Sequence, residues 1–314
     1  MLRFLSARLL ATIPVVFGVT VAVFSMLYLI PGDPVKMMLS EFQSTPEQIA
    51  HMRAQLHLDD PPWVQYGRFV WNGLHGDLGM SIRDDRPVTQ EIEEVFPSTV
   101  VLAVAALAIS ATLGVTLGII AALRQNTWAD VTTMMLATLG ISMPSFWLAL
   151  MLIFIFSLFF GLLPAAGGGE PGHLGDILAH LIMPAVALGV GAAAIIARLT
   201  RSSMLDVLRL EYMNTARAKG LNGATVVLRH GLQNALIPII TIFGLQFGAL
   251  LAGTVFIETV FGRPGLGRLV VNAILNKDFP LVQGGVLVFA IGYVFVNLLV
   301  DLVYAVVDPR IRYG

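Results

Sequence analysis

"LIMPAVALGVGAAAIIARLTRSSMLDVLRLEYMNTARAKGLNGATVVLRHGLQNALIP", residues 181–238, is the stretch on which the fold turns. It opens on an uncharged apolar run, crosses a polar segment that carries Arg198, Arg201, Arg209, Arg217, Lys219 and Arg229, and returns to an apolar run after Gln233. A helix rises about 1.5 Å per residue and a bilayer's hydrocarbon core is about 30 Å thick, so about 20 apolar residues suffice to cross it. The two flanking runs, near 177–197 and 234–257, meet that length. The segment between them is then a connector at the membrane surface.

Composition supports the same solvent. The chain is 56% hydrophobic with 12% charged residues, against about 25% charge in an ordinary soluble protein. Four further runs of spanning length lie near 9–30, 99–123, 131–160 and 284–307. The expectation is an all-α membrane protein with six transmembrane helices. Arg3 and Arg8 precede the first run as in a secretory signal, but the run is long and no small-residue cleavage site follows it, so it reads as a retained anchor. Cysteine is absent, which excludes disulfides and thiolate metal sites. A net charge of −1 without a basic tract gives no sign of nucleic-acid binding.

Arginine and lysine set the expected orientation. The N-terminus, 124–130, 198–233 and 308–314 hold 11 of the 19 in 58 residues, whereas 31–98, 161–176 and 257–283 hold 8 in 111. Cationic loops stay in the cytoplasm, which puts both termini and the 198–233 connector there. The longest polar segment, 31–98, then faces the other side. In it Thr45, Pro46 and Gln48 form an N-terminal capping box, and a second amphipathic piece runs from Trp63 to Leu74, so a short helical periplasmic insert is expected. The domain reading is an N-terminal helix plus insert over 1–95, a five-helix transmembrane domain over 96–307, and a tail over 308–314.

No ionisable side chain lies well inside the first five runs, and Asp301 sits near the cytoplasmic end of the sixth. Proton relays are built from such groups, which argues against a self-powered pump. A phosphate-binding G-x-x-x-x-G-K-[ST] is also missing, since none of Lys36, Lys219 and Lys277 follows a glycine. No serine and histidine pair or carboxylate dyad lies within the runs to support an intramembrane enzyme. Energy for active transport would have to enter from another subunit, and a stand-alone facilitator is the competing reading.

The connector suits that entry point. Met204 to Lys219 lacks Pro and Gly and reads as one helix, with Gly220 as its stop and Asn222 and Gly223 opening the next. Thr215, Ala216 and Ala218 are small and lie among Arg217 and Lys219, a pattern that lets a helix seat closely in a partner's groove. The plainer reading takes the cations as anchors of the two adjoining spans.

"EYMNTARAKG" followed by "VVLRHGLQNALIP" resembles the EAA-type loop of ABC importer permeases of the dipeptide, oligopeptide, glutathione and nickel family. "PGDP" at 31–34, "HLDDPPWVQYGRFV" at 57–70, "GDLGMS" at 76–81, "ETVFGRPGLGRL" at 258–269 and the terminal "LVYAVVDPRIRYG" extend the resemblance over the whole chain. The resemblance implies the type I importer permease fold, with a coupling loop over about 204–233 in which Asn214, Thr215, Ala216, Arg217, Ala218, Lys219, Gly220 and Leu221 contact an ATPase subunit. It also implies the partners: a second homologous permease, two ABC ATPase subunits that carry ATP and Mg2+, and a periplasmic or lipid-anchored solute-binding protein. This chain would hold no cofactor and catalyse nothing itself. It departs from the general loop pattern at Asn214 and Thr215, where Glu-Ala is usual, and at Gln233, the place of a proline.

Polar residues in the spans are candidates for the translocation path: Ser142 and Ser145 around Pro144, Gln246, and Asn297. Pro144, Pro184 and Pro238 each free a backbone carbonyl and are candidate kinks. Gly114 and Gly118 form a small-residue packing face. His173, Asp176 and His180 have helical metal-ligand spacing, but Asp176 reads more simply as the N-cap of the fourth span and no metal is assigned.

Overall fold

The computed structural model of the chain describes residues 2–29, 45–55 and 59–307. "PGDP", His57 and Leu58, and the 308–314 tail therefore lie outside the described residues. Among the described residues the regular structure is helical, apart from one isolated bridge between Met80 and Pro87. The helices are α1 (Leu2–Leu29), α2 (Pro46–Gln55), α3 (Pro62–Leu74), α4 (Val88–Leu123), α5 (Trp128–Ser142), α6 (Ser145–Leu152), α7 (Leu174–Leu208), α8 (Glu211–Ala218), α9 (Gln233–Val260), α10 (Leu266–Leu275) and α11 (Phe279–Val307). A π-helical turn, Ile153–Phe159, extends α6, and another, Val226–Leu232, leads into α9.

Four of these, α4, α7, α9 and α11, are long and apolar enough to cross a bilayer, and a fifth results if α5 and α6 are taken together. The expected third span is not one straight helix. It breaks at Met143 and Pro144, and the two halves are bent by 104°. Proline lacks the N–H that would continue the ladder and drives the residue before it out of the helical region. Met143 accordingly sits at φ −84°, ψ 126°. Pro184 and Pro238, by contrast, lie inside unbroken α7 and α9.

The chain forms two compact units. Among the described residues, one comprises Thr99–Arg263 with 296–307, and the other comprises those within Leu2–Ser98 together with Pro264–Phe295. At the centre of the first is α7, whose Met183, Ala185, Leu188 and Ala192 are buried with Leu102 and Ala106 of α4 and Leu250 and Ile257 of α9. Small residues set the spacing. A Cβ at Gly114 would meet the Ala193 carbonyl at 2.7 Å, and one at Gly118 would meet Thr200 Cβ at 2.5 Å, so the expected packing face is real and is pressed against α7. The same device brings α9 against α11 at Gly244 and Val300.

In the second unit Val88, Ile92, Leu266, Val270 and Leu281 form the core. Asp278, 2% exposed, accepts hydrogen bonds from Ser81 Oγ at 2.6 Å and from the Ile82 N–H at 3.2 Å. Helix α3 packs on α1 through Phe24, Tyr66 and Phe69, with Tyr28 Oη donating to Gln65 Oε1 at 2.6 Å. The capping box of α2 is formed as the residues require: the Thr45 N–H donates to Gln48 Oε1 at 2.9 Å and the Gln48 N–H to Thr45 Oγ1 at 3.3 Å.

Candidate functional site

The connector between α7 and α9 is a compact structure with its own small core. The sequence suggests a continuous helix from Met204 to Lys219, but α7 ends at Leu208 and Leu210 is extended at φ −73°, ψ 146°, which turns the chain before α8 begins. The reason is packing. Helix α8 folds back on the end of α7, burying Met213 and Ala216 against Val207, Leu208 and Val226. Those two residues are three apart and so share one face of the helix. Two hydrophobic anchors in a single unbroken helix could not reach that core.

Hydrogen bonds close the connector from both ends. Tyr212 Oη donates to the His230 carbonyl at 3.1 Å, and Asn234 Nδ2 donates both to Tyr212 Oη and to the same carbonyl at 2.9 Å. Gly220 stops α8 as expected: it adopts φ +72°, a conformation glycine takes at little cost, and its N–H reaches the Arg217 carbonyl at 3.0 Å. Asn222 then caps the next turn, its Oδ1 accepting from the Ala224 N–H at 3.0 Å. At Gly231 a side chain would crowd Met204 Cε at 3.3 Å, where the connector rests on α7.

Of the expected contact residues, Asn214, Thr215, Arg217, Ala218, Lys219, Gly220 and Leu221 are exposed together on the outer side of this unit. Arg217 is steadied by donating from Nη1 to Asn214 Oδ1 at 3.1 Å. Ala216 differs. It is 8% exposed and faces the connector's own core, so its small size serves internal packing.

Ser142 and Ser145 flank the α5–α6 bend; Ser142 Oγ donates back to the Thr138 carbonyl at 2.9 Å, while Ser145 opens α6 and is half-buried. Gln246 and Asn297 are half-buried on α9 and α11. Among the described residues no hydrogen bond joins these four to one another.

The expected N-cap role of Asp176 is corrected. His173 precedes α7, and Asp176 lies in the first turn, where its Oδ2 accepts from the Glu170 N–H at 2.6 Å and so ties the glycine-rich loop to the helix. His180 Nδ1 sits 3.3 Å from Asp176 Oδ1, whereas the exposed His173 pairs with Glu170 at 3.5 Å. Among the described residues no three such side chains are grouped to hold a metal ion.

Charged residues assigned to loops by sequence turn out to be buried. Asp130 is 4% exposed in the first turn of α5 and receives a forked pair from Arg201 of α7, Nε to Oδ1 at 2.6 Å and Nη2 to Oδ2 at 2.7 Å. Glu258 is fully buried in the last turn of α9 and accepts from Thr99 Oγ1 at 2.6 Å. Arg263, five residues on, is 3% exposed with Nε and Nη1 lacking acceptors, and burial pushes its guanidinium below the usual range while Glu258 partly offsets this. The signal that was available is position. Asp130 and Glu258 each stand at the edge of an apolar run, where a helix that finds an opposite or hydrogen-bonding partner can continue past the hydrophobic stretch.

Comparison with known proteins gives a consistent result over the whole length. Residues 114–313 match the family described as binding-protein-dependent transport system inner membrane component, and residues 1–103 match its companion N-terminal region. The chain is 42% identical over 337 residues to the dipeptide transport system permease protein DppB of Escherichia coli, covering 100% of this chain and 99% of that one. It is 42% identical over 313 residues to the glutathione transport system permease protein GsiC of the same species, covering 100% of both. In fold it is similar to a chain of the inward-facing MetNI methionine ABC transporter, with a TM-score of 0.55 at 16% identity over 69% of this chain and 96% of that one. The chain thus belongs to the family of binding-protein-dependent transport system inner-membrane components.

Proposed function

We propose that this chain is the permease subunit of an ATP-driven importer that carries small peptides, dipeptides or glutathione among them, across the cytoplasmic membrane by alternating access. Six helices span the bilayer in this reading, α1 and the broken α5–α6 pair included, with both termini and α8 in the cytoplasm and α2 and α3 on the periplasmic side. A second homologous permease completes the channel. Two ATPase subunits bind ATP and Mg2+ below it, and a periplasmic or lipid-anchored binding protein delivers the solute from above. The peptide class rests on the names of relatives that match from end to end.

The observation that carries the reading is the outer face of α8. It presents Thr215, Arg217, Ala218 and Lys219 on a helix whose other side is locked by Met213 and Ala216. A short rigid helix with two exposed cations and small residues between them fits a partner's groove, and charge fixes its orientation there. ATP-driven approach of the two ATPase subunits would move α8 and, through it, α7.

Co-purification tests this directly. The double variant Arg217→Glu/Lys219→Glu changes only exposed side chains and is expected to keep normal membrane levels while losing co-purifying ATPase subunits by tenfold or more, about 1.4 kcal/mol in binding. Unchanged ATPase capture would remove α8 as the contact. Import of labelled dialanine into liposomes holding this chain alone, without ATP or partners, would replace the importer reading with that of a facilitator.

A further inference from the structure

The pairing of Asp130 with Arg201 is more than an anchor at the membrane surface. Both Asp130 oxygens are taken by one guanidinium, and the Asn126 N–H adds a third hydrogen bond at 3.0 Å from a residue at φ +62°. A forked arginine–carboxylate pair fixes angle as well as distance, which a single-point contact does not. The two partners are 71 residues apart in the chain, so the pair joins elements rather than neighbours.

What it joins is specific. Arg201 lies two helical turns before the end of α7, and that end is where Val207 and Leu208 hold Met213 and Ala216 of α8. Asp130 lies in the first turn of α5, whose other end is the Met143–Pro144 break with its 104° bend. Farther along, α5 touches α7 at Gly140, where a Cβ would stand 3.2 Å from Val190 Cγ1. An open cleft of about 630 Å³, lined by Val131, Met134, Met135 and Thr138 of α5, has the ion pair at its foot, while Thr133, Ala137 and Gly140 of α5 are buried.

We propose that Asp130 and Arg201 are positioning residues that make α5 follow α7: a displacement of α8 passes into α7 and is handed to α5, and so to the bend at Pro144, by this pair. The proposal rests on α8 being the ATPase contact. With the pair intact, α5 and α7 move as one body. Without it, movement of α8 by the ATPase subunits no longer sets the angle of the bent helix, and hydrolysis in those subunits continues while import does not.

The test uses the full complex, with its second permease and ATPase subunits, reconstituted in liposomes with its binding protein; labelled dialanine imported per ATP hydrolysed is the quantity read. The double variant Asp130→Leu/Arg201→Met fills the space with apolar side chains and leaves no unpaired charge. It is expected to assemble, to hydrolyse ATP at the unaltered rate, and to import about tenfold less dialanine per ATP, the size of an ordinary coupling between sites. Arg201→Lys keeps the charge but loses the fork, and is expected to fall several-fold in the same ratio while assembling normally. An unchanged ratio in Arg201→Lys overturns the proposal whether or not the apolar double variant assembles, because a pair that served only stability would alter the amount of complex and not its stoichiometry. Failure of the α8 reading is seen separately, as ATPase subunits that stay bound to Arg217→Glu/Lys219→Glu.

Discussion

At the scale of single residues, the connector and the helix crossings each depend on side chains chosen for size. Met213 is fully buried between α8 and the end of α7. Met213→Ala removes most of that anchor, and truncations of this kind cost about 2–5 kcal/mol. The expected result is trypsin cleavage within 209–234 that is markedly faster than in the unaltered protein, with the rest of the chain still protected. Equal cleavage rates would mean that α8 is held by something other than its core. Gly118 makes the opposite point. A Cβ there would fall 2.5 Å from Thr200 Cβ and 2.7 Å from the Ala197 carbonyl, so Gly118→Val should lower thermal stability in detergent, overpacking costing about 1–3 kcal/mol. Gly292, where a Cβ meets nothing within 4 Å, is the control: Gly292→Ala should be neutral or slightly stabilising.

At the scale of elements, helix ends matter more than helix middles. Asn222 satisfies the Ala224 N–H and starts the turn that returns the chain toward α9. Asn222→Ala should cost about 1 kcal/mol of local stability, read as roughly fivefold faster hydrogen exchange at the Ala224 amide. No acceleration there would show that the turn is fixed by Tyr212 and Asn234 instead. The α5–α6 break shows what sequence reading misses at this scale. Pro144 was visible as a candidate kink together with Pro184 and Pro238, yet only Pro144 coincides with a break. Membrane helices tolerate proline where neighbours satisfy the freed carbonyl, and α7 is the most enclosed helix of the bundle. Neighbours are not written in the local sequence.

At the scale of the molecule, orientation is the property most open to experiment. The protein contains no cysteine, so any introduced thiol is the only one present. Ala218→Cys and Trp63→Cys both place that thiol at an exposed position, Trp63 being 75% exposed. With a membrane-impermeant maleimide on intact cells, Trp63→Cys should be labelled and Ala218→Cys should react only after permeabilisation. The reverse pattern would invert the proposed topology. The density of Arg and Lys in the 198–233 connector is the reason to expect the first result.

The sequence by itself determined the solvent, the helical class and the place of the connector, because hydrophobic runs, capping residues and Gly220 act over a few residues and need no partner. The capping box at Thr45 and Gln48 and the stop at Gly220 were legible for that reason. Tertiary structure alone decided that α8 separates from α7, that Ala216 turns inward while its neighbours face out, and that Asp130 and Glu258 enter the helices as buried charges. Each of those outcomes depends on a partner outside the residue's own helical turn: Val226 of the next turn for Ala216, and, far away in the chain, Arg201 for Asp130 and Thr99 for Glu258. A buried charge is costly until such a partner arrives, and only the folded chain brings it within hydrogen-bonding distance.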